Sequence, residues 1–206
     1  VCLHHVKGFM ALEVSQQSLK KDKWESLIEK ADLIEQDGFG PKVFDLKDGR
    51  MLKIFRVKRF WSSNLWSPFA KRFVRNTRRL RQLGIPTVQC LEHGSISHLD
   101  RTYVIYERLP GRTLREASDL DGVLLGQFFA HLHDQGVYFR SCHLGNLLLL
   151  EDGNLGLIDV LDMKFSNGGL TTNERKRNFR RLRSRTQDHE QLDAVWENMM
   201  NAYRKG

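Results

Sequence analysis

The chain has 206 residues, of which 40% are apolar, enough for one sizeable core or two small lobes that share a cleft. Its formal net charge of +8 predicts a surface that attracts phosphates, acidic lipids or nucleic acid, although an ordinary solvated basic surface gives the same number. Three widely spaced cysteines (Cys2, Cys90 and Cys142) disfavour a disulfide framework or a zinc site and fit a reducing cytosol, and no apolar run approaches the roughly 20 residues of a membrane helix.

The pattern along the chain divides it into a strand-rich part and a helical part. Residues 1–18 form an N-terminal extension, which is not a clean signal peptide because histidines and a lysine interrupt its apolar stretch. Residues 19–107 are rich in predicted strands, and residues 108–206 are mainly helical. This division predicts an α+β fold with two lobes around a cleft, where ligands tend to bind.

The strand-rich part begins with a predicted helix at 19–30. Short apolar runs bounded by turn residues then predict strands at 31–36, 43–46, 51–57, 87–92 and 102–107. Ser67 and Pro68 suit the start of a long helix over 68–83, where arginine and lysine surround an apolar stripe. Gly84 and the following Ile85-Pro86 end that helix.

The helical part begins after a break at Leu109-Pro110-Gly111. Residues 121–135 carry leucine and phenylalanine on one face, and two further helices are predicted to close the chain. Between the helix at 121–135 and these two helices, a loop over 136–146 leads into a tight hairpin with strands at 147–150 and 155–158.

Some residues in this pattern suit phosphate chemistry. Gly38 and Gly40 lie between two predicted strands, where backbone amides can approach a phosphate, although an ordinary hairpin turn is the commoner meaning of G-x-G. Lys53 is central in a strand and can reach nucleotide phosphates or extend to solvent. Asn146 and Asp159 flank the hairpin, so both can converge on one Mg²⁺, although a turn residue and a helix cap are the plain alternatives.

The order of glycine turn, strand lysine, helix, hinge, loop and hairpin resembles the protein-kinase scaffold. The LPGRTL segment at 109–114 and the LGIP segment at 83–86 resemble parts of aminoglycoside-phosphotransferase-like and lipopolysaccharide-core kinases. Over roughly residues 31–165, the chain resembles the lipopolysaccharide kinase family (Kdo and heptose kinases), which includes bacterial proteins labelled toluene tolerance proteins. The resemblance implies a two-lobed kinase-like fold with a compact helical C-lobe, and ATP and Mg²⁺ as cofactors.

The resemblance also implies where the nucleotide would lie. Lys53 would hold the phosphates of ATP beneath a turn formed by Gly38 and Gly40. Backbone groups around Glu107 and Leu109 would meet the adenine.

The metal and the transfer chemistry are implied by the second half of the match. Asn146 and Asp159 would hold Mg²⁺, and His143 falls where this class places lysine or histidine near the transferred phosphate. The family pattern has aspartate five residues before the asparagine, but that position is Ser141, whose hydroxyl is no base near neutral pH. Loss of a general base typically costs about 10²–10⁴-fold in rate.

A second departure from the family concerns the partner of Lys53. No aspartate or glutamate occurs between Asp48 and Glu92, so the predicted helix at 68–83 lacks the usual glutamate. Because phosphoryl transfer depends mainly on positioning and charge, slow transfer remains feasible, and His143 is the candidate substitute base.

Three functions therefore remain open from the sequence. The first is ATP- and Mg²⁺-dependent phosphorylation of a lipopolysaccharide-core sugar or related envelope glycan by a cytoplasmic protein, with peripheral contact at the inner membrane. The second is a pseudokinase regulator of the envelope, with Ser141 as its mark. Basic residues at 50–81 and 175–185 suit an anionic glycan, an acidic membrane leaflet or a plain solvated face. They also suit a nucleic-acid-binding module, the third function, but no nucleic-acid motif accompanies them.

Overall fold

The computed structural model describes residues 14–56 and 69–206. Its strands are β1 (Ser15–Leu19), β2 (Asp32–Asp37), β3 (Gly40–Asp45), β4 (Arg50–Arg56), β5 (Gln89–Ile96), β6 (Arg101–Glu107), β7 (Arg112–Thr113), β8 (Val137–Phe139), β9 (Leu147–Leu149), β10 (Leu155–Leu157) and β11 (Met163–Phe165). Its helices are α1 (Lys21–Ile28), α2 (Phe69–Gln82), α3 (Gly122–Asp134), α4 (Thr172–Leu182) and α5 (His189–Lys205). The chain is thus a mixed α and β structure, as the sequence predicts.

The first six strands form one sheet in the order β1-β5-β6-β4-β3-β2. β1 runs parallel to β5, whereas the other neighbouring strands are antiparallel. In the centre of this sheet, Lys53 of β4 pairs with Val43 of β3 on one side and with Val104 of β6 on the other. A lysine in this position has a backbone fixed from both sides.

Both faces of the sheet are covered, and the alternation along β4 shows which residue faces which layer. Leu52 and Ile54 lie in a cluster with Trp24 of α1. Met51 and Phe55 lie in the main core, which continues into the C-terminal helices. Because successive side chains of a strand point to opposite faces, Lys53 projects to the same side as Met51 and Phe55.

Helix α2 lies on that side of the sheet, and its apolar stripe explains its position. Phe73 and Leu80 are fully buried. The Phe73 ring lies with its centroid 5.8 Å from those of both Phe55 and Tyr106. Gly84 has a φ of +70°, and the Ile85 amide donates to the Leu80 carbonyl at 3.0 Å, which ends the helix.

The C-terminal helices are organised by close packing of α3 against α5. The Asp121 side chain caps α3 by accepting from the amides of Val123 and Leu124, at 2.8 and 3.1 Å. A Cβ added at Gly126 would lie 2.2 Å from the Met199 carbonyl oxygen, so only glycine permits this approach. In the described ranges, no helix has the length and apolar character needed to cross a bilayer.

The structure differs from the predicted elements at the first helix and in the loop before the hairpin. The first helix begins at Lys21, because Leu19 ends β1 and pairs with Ile96. The predicted loop over 136–146 contains β8, which pairs with β11. Three-residue strands are too short to show the alternation by which strands are recognised. The helix start expected at Ser67 and Pro68 and the strand end at Val57 lie outside the described residues.

Candidate active site

The side chains of Lys53 and Asp159 form an ion pair where the sheet meets the helical part. Lys53 Nζ lies 3.0 Å from Asp159 Oδ1, and the Lys53 side chain is 11% exposed. Lys53 Nζ also lies 5.9 Å from the centroid of the Phe73 ring on α2. Helix α2 therefore presents an aromatic ring to the lysine, and the carboxylate comes from Asp159, which follows β10.

Asn76 links α2 to the segment after Asp159. Its side chain is buried, and Nδ2 donates to the carbonyl oxygens of Val160 and Leu161 at 2.8 and 3.1 Å. Its Oδ1 has no hydrogen-bond partner among the described residues. An asparagine within a basic helix carries no sequence signal for this contact, since its partners lie more than 80 positions away.

The loop before the hairpin is held by its own asparagine. Asn146 is buried, and its Nδ2 donates to the Ser141 carbonyl at 2.8 Å. The Asn146 amide donates to the His143 carbonyl at 2.9 Å and closes a single 3₁₀ turn. With Nδ2 engaged, Oδ1 is the atom of Asn146 that remains for a metal ligand.

Asp188, which carries no signal in the sequence, anchors the same loop through Arg115 and the Leu144 amide. This residue is fully buried, and its Oδ1 accepts from Arg115 Nε at 2.7 Å. Its Oδ2 accepts from Arg115 Nη2 at 3.2 Å and from the Leu144 amide at 3.0 Å. In the sequence, an aspartate just before a helix is typical of a cap, so nothing in the pattern indicates this role.

The imidazole of His143 is oriented by Arg115. Arg115 Nη2 lies 3.3 Å from His143 Nδ1, and a guanidinium can only donate, so Nδ1 is the acceptor. Burial lowers the pKa of His143, and the nearby charges of Arg115 and Arg185 lower it further. The neutral ring therefore carries its proton on Nε2.

Asp159 and the loop before the hairpin line one cavity of about 510 Å³, whereas Lys53 lies outside its lining and contacts it through Asp159. Four residues that the sequence singled out lie around it, namely Ser141, His143, Asn146 and Asp159. The other lining residues are Glu35, Lys42, Arg115, Arg140, Cys142, Gly145, Arg181, Ser184 and Arg185. Cations outnumber carboxylates in this lining, so the cavity suits an anionic ligand.

The predicted glycine turn lies outside this cavity lining. Gly38 and Phe39 form the tip of the β2–β3 hairpin, and Gly40 has a φ of +112° that favours glycine. A Cβ added at Gly38 or Gly40 would meet nothing within 4 Å, so the turn faces open space. The body of the same hairpin contributes Glu35 and Lys42 to the cavity.

The residues expected near the adenine also lie outside the lining of this cavity. Glu107 ends β6 and is exposed, with Arg50 of β4 and Gln89 of β5 as its neighbours in register. Leu109 is partly buried against the main core. Glu107 is the last residue of β6, the strand that pairs with β4, and Leu109 lies two residues further along the chain.

The donor set fits a hard divalent cation. The Asp159 carboxylate and Asn146 Oδ1 supply the oxygen ligands that Mg²⁺ prefers. In the described part of the chain, no group of three or more His, Cys, Asp or Glu side chains has metal-ligand spacing. Magnesium sites of nucleotide enzymes commonly take one or two protein ligands and complete their shell with phosphate and water, so two ligands suffice.

Comparison with known proteins gives a likeness of fold. No known family profile matches the sequence, and no curated protein matches it. The solved bifunctional kinase-methyltransferase WbdD matches with a TM-score of 0.50 and 19% identity, over 79% of this chain and 41% of that one. A co-crystal structure of WbdD with the kinase inhibitor LY294002 gives 0.47 and 19%, over 79% and 42%. The chain thus spans less than half the length of this structural neighbour, and the two share a fold over that part.

Proposed function

We propose that the chain is a two-lobed kinase-like domain that binds ATP with Mg²⁺ and transfers the terminal phosphoryl group to a hydroxyl of a lipopolysaccharide-core sugar or related envelope glycan. The observation that carries the proposal is the meeting of Lys53 and Asp159 at 3.0 Å beside a cavity that Asn146 also lines. The shared fold with a kinase-methyltransferase supports it.

Lys53 and the metal ligands have separate tasks in this proposal. Lys53 leaves Asp159 and binds phosphate oxygens of the nucleotide, as the lysine of a kinase strand does. Asp159 and Asn146 hold Mg²⁺, which supplies positive charge against the phosphates. Helix α2 takes part through Phe73 and Asn76, which fix the lysine and the segment after Asp159 without a glutamate.

His143 acts in this proposal as a hydrogen-bond donor and not as the substitute base. Its Nδ1 accepts from Arg115, so Nε2 carries the proton and donates a hydrogen bond to an oxygen of the transferred phosphoryl group. In a loose transition state the acceptor hydroxyl does not have to lose its proton early in the reaction, because little negative charge is needed on its oxygen at that stage. The hydroxyl proton passes late to an oxygen of the transferred phosphoryl group, so Ser141 is not required as a base.

Ligand-dependent stability tests the proposal. At ATP concentrations of about 100 times Kd, the free energy of unfolding should rise by roughly 2.7 kcal/mol, and the melting temperature by a few degrees. The rise should need Mg²⁺ and should vanish in Asp159→Ala, whereas Asp152→Asn, a change in an exposed turn, should leave it intact. Equal shifts in both variants would remove Asp159 from the site, and no shift in the parent protein would end the nucleotide proposal.

A second candidate function is a pseudokinase that binds nucleotide and signals through a partner. Ser141 in the place of the family's aspartate favours it. The two candidates separate in a transfer assay with labelled ATP: activity of the parent protein supports the enzyme. Activity that appears only in Ser141→Asp supports the pseudokinase.

A further inference from the structure

The cationic lining of the cavity is unevenly compensated. Arg115 is paired with the buried Asp188, at 2.7 Å, and Lys42 is paired with Glu35. By contrast, Arg140, Arg181 and Arg185 line the cavity without an ion pair to any described residue. These three arginines form the arginine cluster.

The arginine cluster is built from two separate parts of the chain. Arg140 directly follows β8, whereas Arg181 lies in the last turn of α4 and Arg185 follows that helix. Asn178 of α4 fastens the two parts together, because its Nδ2 donates to the Phe139 carbonyl at 2.5 Å and its Oδ1 accepts from the Phe139 amide at 3.3 Å. The side of α4 that bears Arg181 is therefore held next to the loop that bears Ser141 and His143.

Three like charges brought together at one cavity repel one another, and an anion between them relieves that repulsion. Guanidinium groups bind phosphate and carboxylate in a two-point fashion, which makes arginine the preferred residue for such anions. The nucleotide phosphates have their own cation in Lys53, which contacts Asp159. The cluster accordingly supplies charge for a second anionic group.

We propose that the arginine cluster binds a phosphate or carboxylate group of the acceptor and thereby presents a neighbouring hydroxyl to Ser141 and His143. The proposal rests on the proposed function and specifies it: the acceptor is a sugar that already carries an anionic group, and neutral sugars are excluded as good acceptors. The geometry that supports it is the shared cavity, in which the cluster and both loop residues form the lining.

Binding of two matched small probes tests this proposal in the full chain. Glucose 6-phosphate carries an anionic group, and methyl glucoside is its neutral counterpart. Calorimetric titration should show glucose 6-phosphate binding at least about tenfold more tightly than methyl glucoside, with an affinity that falls as salt rises. Equal affinity for the two probes overturns the proposal.

Variants place the anion at the cluster. Arg181→Gln/Arg185→Gln should lower the affinity for glucose 6-phosphate about tenfold or more and leave that for methyl glucoside unchanged. Lys176→Gln/Arg180→Gln removes the same charge from exposed positions of α4 outside the cavity lining, and should change the affinity less than about twofold. Similar losses in both double variants would show a general charge effect and overturn the proposal.

One further variant, and the binding of ATP, distinguish the nucleotide site from the arginine cluster experimentally. In Lys53→Met, glucose 6-phosphate should still bind, whereas its loss would place the probe at the nucleotide site and refute the cluster. Binding of ATP with Mg²⁺ is measured on the same proteins. If ATP binds and glucose 6-phosphate does not, the cluster proposal fails while the proposed function stands. If only glucose 6-phosphate binds, and through Arg181 and Arg185, the nucleotide proposal fails and the anion site stands.

Discussion

The two sides of the candidate site are built in different ways. On the sheet side, Lys53 stands on a central strand whose register is set by both neighbours. On the loop side, His143 and Asn146 stand on a single 3₁₀ turn that depends on Arg115 and Asp188 from distant parts of the chain. The sheet side is thus fixed by backbone pairing, and the loop side by a few buried side chains. Substitutions should affect the two sides differently.

The largest effect is expected at Asp188. Asp188→Ala leaves Arg115 without its buried carboxylate and the Leu144 amide without its acceptor, and should lower the free energy of unfolding by about 3–5 kcal/mol. Urea denaturation measures it. Asp193→Ala, which breaks the exposed pair with Arg183, serves as the control and should cost less than about 1 kcal/mol. Similar losses in the two variants would contradict the anchoring role of Asp188.

Acid should weaken the helical part through His133. This ring is fully buried between Tyr203 and Asn178, and burial lowers its pKa from 6.5 to about 4. The unfolded chain binds a proton below about pH 6.5 while the folded protein does not, so this contribution to stability is lost as pH falls from 6.5 towards 4. The loss amounts to roughly 3 kcal/mol.

Unfolding at several pH values measures this contribution by difference. His133→Leu should unfold with a weaker pH dependence between 6.5 and 4 than the parent protein. His131→Gln, at an exposed position of the same helix, should keep the parent's dependence. An unchanged slope in His133→Leu would show that another group titrates in this window.

The sheet side should affect binding more than stability. Lys53→Met should weaken ATP binding by about 2 kcal/mol, because charge-assisted hydrogen bonds to the phosphates are lost. The free energy of unfolding should change little, since Asp159 is partly exposed and can be hydrated. Titration with ATP and Mg²⁺ measures the effect, and Lys164→Met at an exposed strand position is the matched control. Unchanged affinity would place the nucleotide elsewhere.

The smallest effect distinguishes two roles of His143. If Nε2–H of His143 donates a hydrogen bond, His143→Gln should keep most of the transfer rate, because the glutamine amide can donate the same bond. His143→Ala should then lose about tenfold in rate. If His143 acted as a base, both variants would lose the same large part of the transfer rate. Nitrogen NMR of the parent protein gives an independent readout, and a spectrum with the proton on Nδ1 would rule out the donor role.

Much of the sheet side was accessible from the sequence. A short apolar run bounded by turn residues predicted β4 with Lys53 at its centre, and the position of Asn146 and Asp159 at the two ends of the hairpin predicted that they would approach one point. The structure brings Lys53 and Asp159 together and places Asn146 at the same cavity. Their roles with nucleotide and metal stay predictions.

The loop side was less accessible because its contacts join distant residues. Asn76 binds the Val160 carbonyl, 84 positions away, and Arg115 and Asp188 are 73 positions apart, and each of the three is ordinary in its local sequence. Short strands such as β8 leave no periodic pattern. The cation–π contact of Phe73 with Lys53, which accompanies the absence of acidic residues from α2, follows from packing alone.

The ion pair between Lys53 and Asp159 has a thermodynamic consequence for the proposed ligands. While Lys53 neutralises the carboxylate, Mg²⁺ by itself gains little from binding Asp159, and the nucleotide by itself must draw Lys53 away from its partner. If both ligands bind, Lys53 would exchange the carboxylate for phosphate, and Asp159 would exchange the ammonium for the metal. Each ligand then raises the affinity for the other by the same factor, because such linkage is reciprocal. In the proposed function, the pair would therefore make the site selective for the ATP–metal complex over either component alone.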